Sequence, residues 1–130
     1  MRVLIADDDK MLSQFLAEIV RGAGHEVVAA FDAMQAVMFA MRPPQPALVL
    51  LDLNMPAGTG REALRKLKAS AKTAHIPVVV VSSMSDDATR AEVAALGAAS
   101  FIPKPIDPEA VLAVLAKPSG AGPASGATPA

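Results

Sequence analysis

Five short aliphatic runs, residues 3–6, 27–31, 48–51, 78–81 and 100–102, are each followed by a stretch whose apolar residues fall at helical spacing. This alternation is the strongest constraint on the fold. Leu12, Phe15, Leu16, Ile19 and Val20 form the first helical stripe, and Gly22 and Gly24 mark its end. Met34, Val37, Met38 and Met41 form the second, stopped by Pro43 and Pro44. Residues 62–69 read as a third helix, and Asp86 or Asp87 caps a fourth that runs to Leu96 with Gly97 behind it. A fifth follows Pro108 with Val111, Leu112, Val114 and Leu115. The runs lack the apolar-polar alternation of a half-solvated sheet, so both of their faces must be covered. The expectation is an α/β, doubly wound (βα)5 domain with a parallel five-stranded sheet and helices on both faces.

The 130 residues, 52% of them hydrophobic, suffice for one packed domain. Its expected extent is residues 1–117. Residues 118–130, PSGAGPASGATPA, offer nothing to build a core and read as a flexible tail or linker. The longest apolar runs fall short of the roughly 18 residues needed to cross a bilayer, and Asp7, Asp8 and Asp9 interrupt any leader. A soluble, cytoplasmic protein without membrane contact is expected, in keeping with the absence of cysteine. A net charge of −1 and the lack of Trp and Tyr speak against nucleic-acid binding. The cluster Arg61, Arg65, Lys66, Lys68 and Lys72 reads as the solvated face of one helix.

Ligands of such a sheet bind beyond the carboxyl ends of its strands. The residues there are Asp7, Asp8 and Asp9 after the first strand, Asp52 and Asn54 after the third, Ser82 and Ser83 after the fourth, and Lys104 with Pro105 after the fifth. Carboxylates with open positions suit a hard cation such as Mg²⁺, and an ammonium with hydroxyls suits the oxygens of a phosphoryl group. Asp52 is the oddest of these, a carboxylate at the end of four aliphatic residues. It must either emerge at a solvent-facing edge or meet a cation there. His25 and His75 precede the second and fourth strands, at the opposite edge, and are expected to be exposed loop residues.

The motifs IADDDK, LLDLNMPAGTG, VVVVSSM and IPKPI, in this order, resemble those of response-regulator receiver domains, the CheY-like modules of two-component phosphorelay signalling. The resemblance covers residues 1–117 and implies the flavodoxin-like strand order 2-1-3-4-5. It implies that Asp52 is the phosphoacceptor and that Asp7, Asp8, Asp52 and the backbone carbonyl of Asn54 hold Mg²⁺. Lys104 and Ser82 then assist phosphoryl transfer, Ser82, Ser83, Lys104 and Asn54 contact the phosphate, and Ser82 and Phe101 form the switch. Phe101 is expected to rotate inward on phosphorylation. Pro105 matches a proline that commonly follows a cis bond, and Gly58 and Gly60 the permissive turn after the acceptor.

The implied partners are a histidine kinase or histidine-phosphotransfer protein, docking near Met11, Gln14, Pro105 and Ile106, and a downstream protein partner or linked output domain. Ala99 and Ser100 precede Phe101 where DNA-binding winged-helix regulators usually carry an acidic residue, which weakens the analogy with those. DNA binding by the chain itself is not expected. The implied role is regulatory rather than enzymatic. Two alternatives compete with it: a docking module that is never phosphorylated, and an aspartyl-phosphate phosphohydrolase of the haloacid dehalogenase type. The second needs an Asp two residues after the nucleophile, where this chain has Asn54.

Overall fold

The computed structural model describes residues 1–55 and 59–117. Strands and helices alternate in the order β1 (Arg2–Ala6), α1 (Lys10–Gly22), β2 (Glu26–Ala30), α2 (Ala33–Met41), β3 (Leu48–Asp52), α3 (Gly60–Ala69), β4 (Val78–Ser82), α4 (Asp87–Ala95), β5 (Ser100–Pro103) and α5 (Pro108–Ala116). The strands form one parallel sheet in the order β2-β1-β3-β4-β5. The expected doubly wound α/β class and strand order are both present. The tail at 118–130 lies outside the described residues, as does Gly58.

Strand side chains alternate between two cores. Val3, Ile5, Leu48, Leu50, Val79, Val81 and Ile102 pack with Leu16 and Val20 of α1 and Val111 and Leu115 of α5. Leu4, Val49, Leu51, Val78, Val80 and Phe101 pack with Ala36 of α2, Leu64 and Leu67 of α3 and Val93 of α4. Burying a Leu- or Val-sized side chain contributes about 1.5–3 kcal/mol, so the two-sided apolar runs are what hold the sheet in the middle layer.

Side-chain oxygens accept from backbone N–H groups at every helix start: Asp9 from Leu12, Asp32 from Gln35, Thr59 from Glu62, Asp86 from Thr89 and Asp107 from Glu109. Gly97, at φ 104°, follows the end of α4, and Gly24, at φ 93°, follows that of α1. Gly22 is the last residue of α1 rather than its stop.

Several boundaries depart from the sequence reading. β2 ends at Ala30, not Phe31, whose N–H donates to Gln35 Oε1 at 2.8 Å at the start of α2. α3 begins at Gly60 rather than Glu62, since Thr59 supplies the cap. The basic cluster is not one solvated face: Arg61 pairs with Glu92 of α4 at 2.8 Å, and Lys68 is half-buried, donating to the carbonyls of Ala74 and Ile76. Burial lowers the Lys68 pKa. His75 is exposed, but His25 is half-buried with Nδ1 2.9 Å from the Met1 amino group.

Candidate functional site

Because the strands run parallel, their carboxyl ends share one edge of the sheet. The β3–β4 register sets Asp52 beside Val81, and the β4–β5 register sets Ser82 beside Pro103. Asp7 and Asp8 follow β1, the strand next to β3. The Asp7, Asp8 and Asp52 side chains each present a carboxylate oxygen within 4.8 Å of the others.

Lys104 reaches this cluster from the end of β5. Its Nζ lies 3.3 Å from Asp7 Oδ2 and 3.5 Å from Asp52 Oδ1. Asp7 is 1% exposed and Asp52 5%, so of the two alternatives for Asp52, a solvent-facing edge or a cation, the structure has the cation. Asp52 is the last residue of β3 and stays inside; the cation is what makes its burial tolerable. Asp7 Oδ1 also accepts the Asp9 N–H at 2.9 Å, and Asp52 Oδ1 the Asn54 N–H at 3.4 Å.

Burial pushes the Asp52 carboxyl above the usual carboxylate range, and the charge on Asp7 pushes the same way, against the pull of Lys104. Burial likewise raises Asp7, although the Asp9 N–H and Lys104 both favour its charged form. One ammonium against three carboxylates leaves the cluster with excess negative charge. Asp8 and Asn54 are exposed, so solvent reaches one side. Hard oxygen donors, uncompensated charge and an open side fit a divalent cation that keeps several waters.

Ser82 is fully buried and its Oγ accepts the Met84 N–H at 3.0 Å, which leaves the hydroxyl proton free to donate. Ser83 is exposed. Phe101 is 8% exposed and packs into the core on the α3–α4 side of the sheet. The Arg90 guanidinium lies over the ring 4.5 Å from its centroid, while Nε donates to the Ser85 carbonyl at 3.1 Å. The Lys104–Pro105 bond is cis. Neither histidine is among the groups around the acidic cluster.

Two features of the site were not read from the sequence. Gly60 was placed in a permissive turn, yet among the described residues the glycines with positive φ are Gly24 and Gly97. Its need is space: a Cβ there would run into the Asp52 backbone carbonyl and Leu53 Cα. The second is Arg90, whose position on a helix carries no signal that it covers a strand residue.

A doubly wound sheet with an acidic cluster and a lysine at its carboxyl edge defines an α/β module built for a charged ligand. The family model described as the response regulator receiver domain matches residues 3–116, and the chain belongs to that family. Receiver domains are regulatory modules of two-component signalling. The chain is 32% identical over 111 residues to Protein PilH of Pseudomonas aeruginosa, covering 85% of this chain and 91% of PilH. It is 33% identical over 112 residues to the DNA-binding response regulator MtrA of Mycobacterium tuberculosis, covering 86% of this chain and 47% of MtrA. Among solved structures, the chemotaxis response regulator CheY4 of Vibrio cholerae superposes with a TM-score of 0.83 at 27% identity, covering 89% of this chain and 96% of that one. Among the described residues, no helix is long and apolar enough to cross a membrane.

Proposed function

We propose that this receiver domain accepts a phosphoryl group on Asp52 from a phosphohistidine of a histidine kinase or histidine-phosphotransfer protein, and that the acyl phosphate changes how it binds a downstream partner. The observation that carries this reading is the Lys104 ammonium shared by Asp7 and Asp52 at 3.3 and 3.5 Å inside a cluster of three carboxylates. Asp52 Oδ forms the new bond to phosphorus as the bond from phosphorus to the imidazole nitrogen breaks, and the freed imidazole is released to its own protein.

Lys104 lies against the attacking carboxylate and pairs with the oxygens on which charge develops. Asp7, Asp8, Asp52 and the Asn54 carbonyl would hold Mg²⁺, which supplies further neutralisation of the phosphoryl oxygens. The free proton of Ser82 is the donor for one phosphoryl oxygen, and exposed Ser83 and Asn54 border the same space. The product adds roughly −1.5 to −2 charges at the end of β3. Ser82 and Phe101 connect that charge to α4 and β5, since Arg90 of α4 rests on the Phe101 ring.

Met11 is 82% exposed and, with exposed Gln14 and Pro105 and half-buried Ile106, provides an apolar border at the entrance for the donor protein. The role is regulatory, in a soluble cytoplasmic setting. The chain spans about half of MtrA, so a linked output domain is one form the downstream partner takes.

The test is intact-protein mass spectrometry after incubation with acetyl phosphate and Mg²⁺. One added phosphoryl group is expected on the wild type and none on Asp52→Asn; equal labelling of the two would sink the assignment.

A further inference from the structure

β2 is an edge of the sheet, and the direction of its peptide groups can be followed residue by residue. The Glu26 N–H donates to the Met1 carbonyl at 2.9 Å, and the Ala30 carbonyl accepts from Asp7 N–H at 3.0 Å. Peptide groups in a strand alternate, so Glu26, Val28 and Ala30 face β1 while Val27 and Ala29 face away from the sheet. The outward amides on either side are taken: His25 N–H donates to Val20 and Phe31 N–H to Gln35. Among the described residues nothing lies along the outer edge to bond Val27 and Ala29.

An unpaired edge is usually blunted by charge or proline. Here each side of it carries a cavity with an apolar floor. On the α1 side about 260 Å³ is lined by Ala17, Val27, Ala29 and Phe31, with Lys10 and Arg21 at its rim. On the α2 side about 240 Å³ is lined by Leu4, Val28, Phe39 and Pro43, with Arg2 and Arg42 at its rim. The strand's one carboxylate, Glu26, is already paired with Arg2 at 3.1 Å.

We propose that the outer edge of β2 is a docking site for an extended acidic segment of a partner protein, which adds as a sixth strand. Its backbone bonds to Val27 and Ala29. Its alternate side chains enter the two cavities, and its carboxylates meet Lys10, Arg21 and Arg42. Main-chain bonds then supply affinity and the alternating cavities specificity. The charge pattern selects the occupant: pairing β2 with that of a second copy would bring two sets of cationic rims together. The site is separate from Asp52, so its test needs neither Mg²⁺ nor a phosphoryl donor.

The experiment is an amide chemical-shift titration of the full chain with a capped peptide EDVTVTVDE, with KKVTVTVKK as control. Expected are shifts and slowed hydrogen exchange at Val27 and Ala29, with the acidic peptide only. Ala29→Pro removes an outward donor and no bond to β1, and should weaken binding by roughly tenfold or more. The double variant Arg21→Glu with Arg42→Glu, both exposed, should weaken it too, and it decides the matter should Ala29→Pro fail to fold. Unchanged binding in the folded variants, equal binding of the basic peptide, absence of shifts along β2, or a concentration-dependent dimer through that edge would each overturn the proposal.

Discussion

The Lys104 ammonium stands between two carboxylates that are almost wholly buried, and its removal leaves Asp7 and Asp52 facing one another. Lys104→Ala should destabilise the metal-free domain by about 1–3 kcal/mol, read as a lower urea midpoint. It should also slow labelling by acetyl phosphate about a hundredfold or more, while Mg²⁺ still binds, because the carboxylates are intact. Titration calorimetry and a labelling time course separate the two effects. Asp52 itself works against stability at neutral pH. Its carboxyl is raised by burial and by Asp7, so the folded state holds this proton more tightly than the unfolded chain. The stability it contributes is therefore full below the unfolded carboxylate pKa and is lost as pH rises through the folded value. Asp52→Asn should raise the urea midpoint of the metal-free protein at neutral pH and leave it nearly unchanged at acidic pH. A variant less stable than wild type at neutral pH would contradict a carboxyl held above its ordinary value, because the charged form would then be stabilised by folding.

Glycines at two helix ends give opposed expectations for the same substitution. Gly60 opens α3 against the Asp52 backbone, and a methyl group there must displace either the helix start or the acceptor strand. Gly22 closes α1 with open space around the position of its missing Cβ. Gly22→Ala should stabilise by about 0.5–1 kcal/mol through helix propensity, whereas Gly60→Ala should destabilise by about 1–3 kcal/mol and impair labelling of Asp52. Urea midpoints of the two variants give the comparison. Elements of this kind were readable because their signals are local. Alternating aliphatic runs and helical stripes predict five strands and five helices, and Asp86 and Gly97 stand where α4 begins and ends. The shared sheet edge follows from parallel order alone, so Asp7, Asp8, Asp52, Ser82 and Lys104 could be placed together. What the sequence withheld depends on contacts between distant segments. The ammonium beside the buried Asp52 arrives from the end of β5, and the cation over the Phe101 ring from α4.

Across the whole molecule, the acceptor edge and the α4–β5 surface are joined by few residues, and the coupling between them can be tested by shortening the path. Ser82 sits at the end of β4 beside β5, Phe101 lies in β5, and the Arg90 guanidinium closes over its ring from α4. Under the proposed function, a phosphoryl group on Asp52 would recruit the Ser82 proton, and a shift of β4 would reach α4 through Phe101. Beryllofluoride with Mg²⁺, a mimic of the acyl phosphate, should therefore move amide resonances in α4 and β5 as well as around Asp52. Arg90→Ala removes a stacked cation worth about 0.5–2 kcal/mol and frees the ring. It should enlarge the spread of Phe101 conformations before beryllofluoride is added, and reduce the change that the mimic then produces in α4. DNA should have no effect on these spectra at low salt, because a chain of net charge −1 has little to gain from neutralising phosphates. Shifts confined to residues touching Asp52, or an Arg90→Ala spectrum that responds as the wild type does, would remove Phe101 and Arg90 from the route between phosphorylation and partner binding.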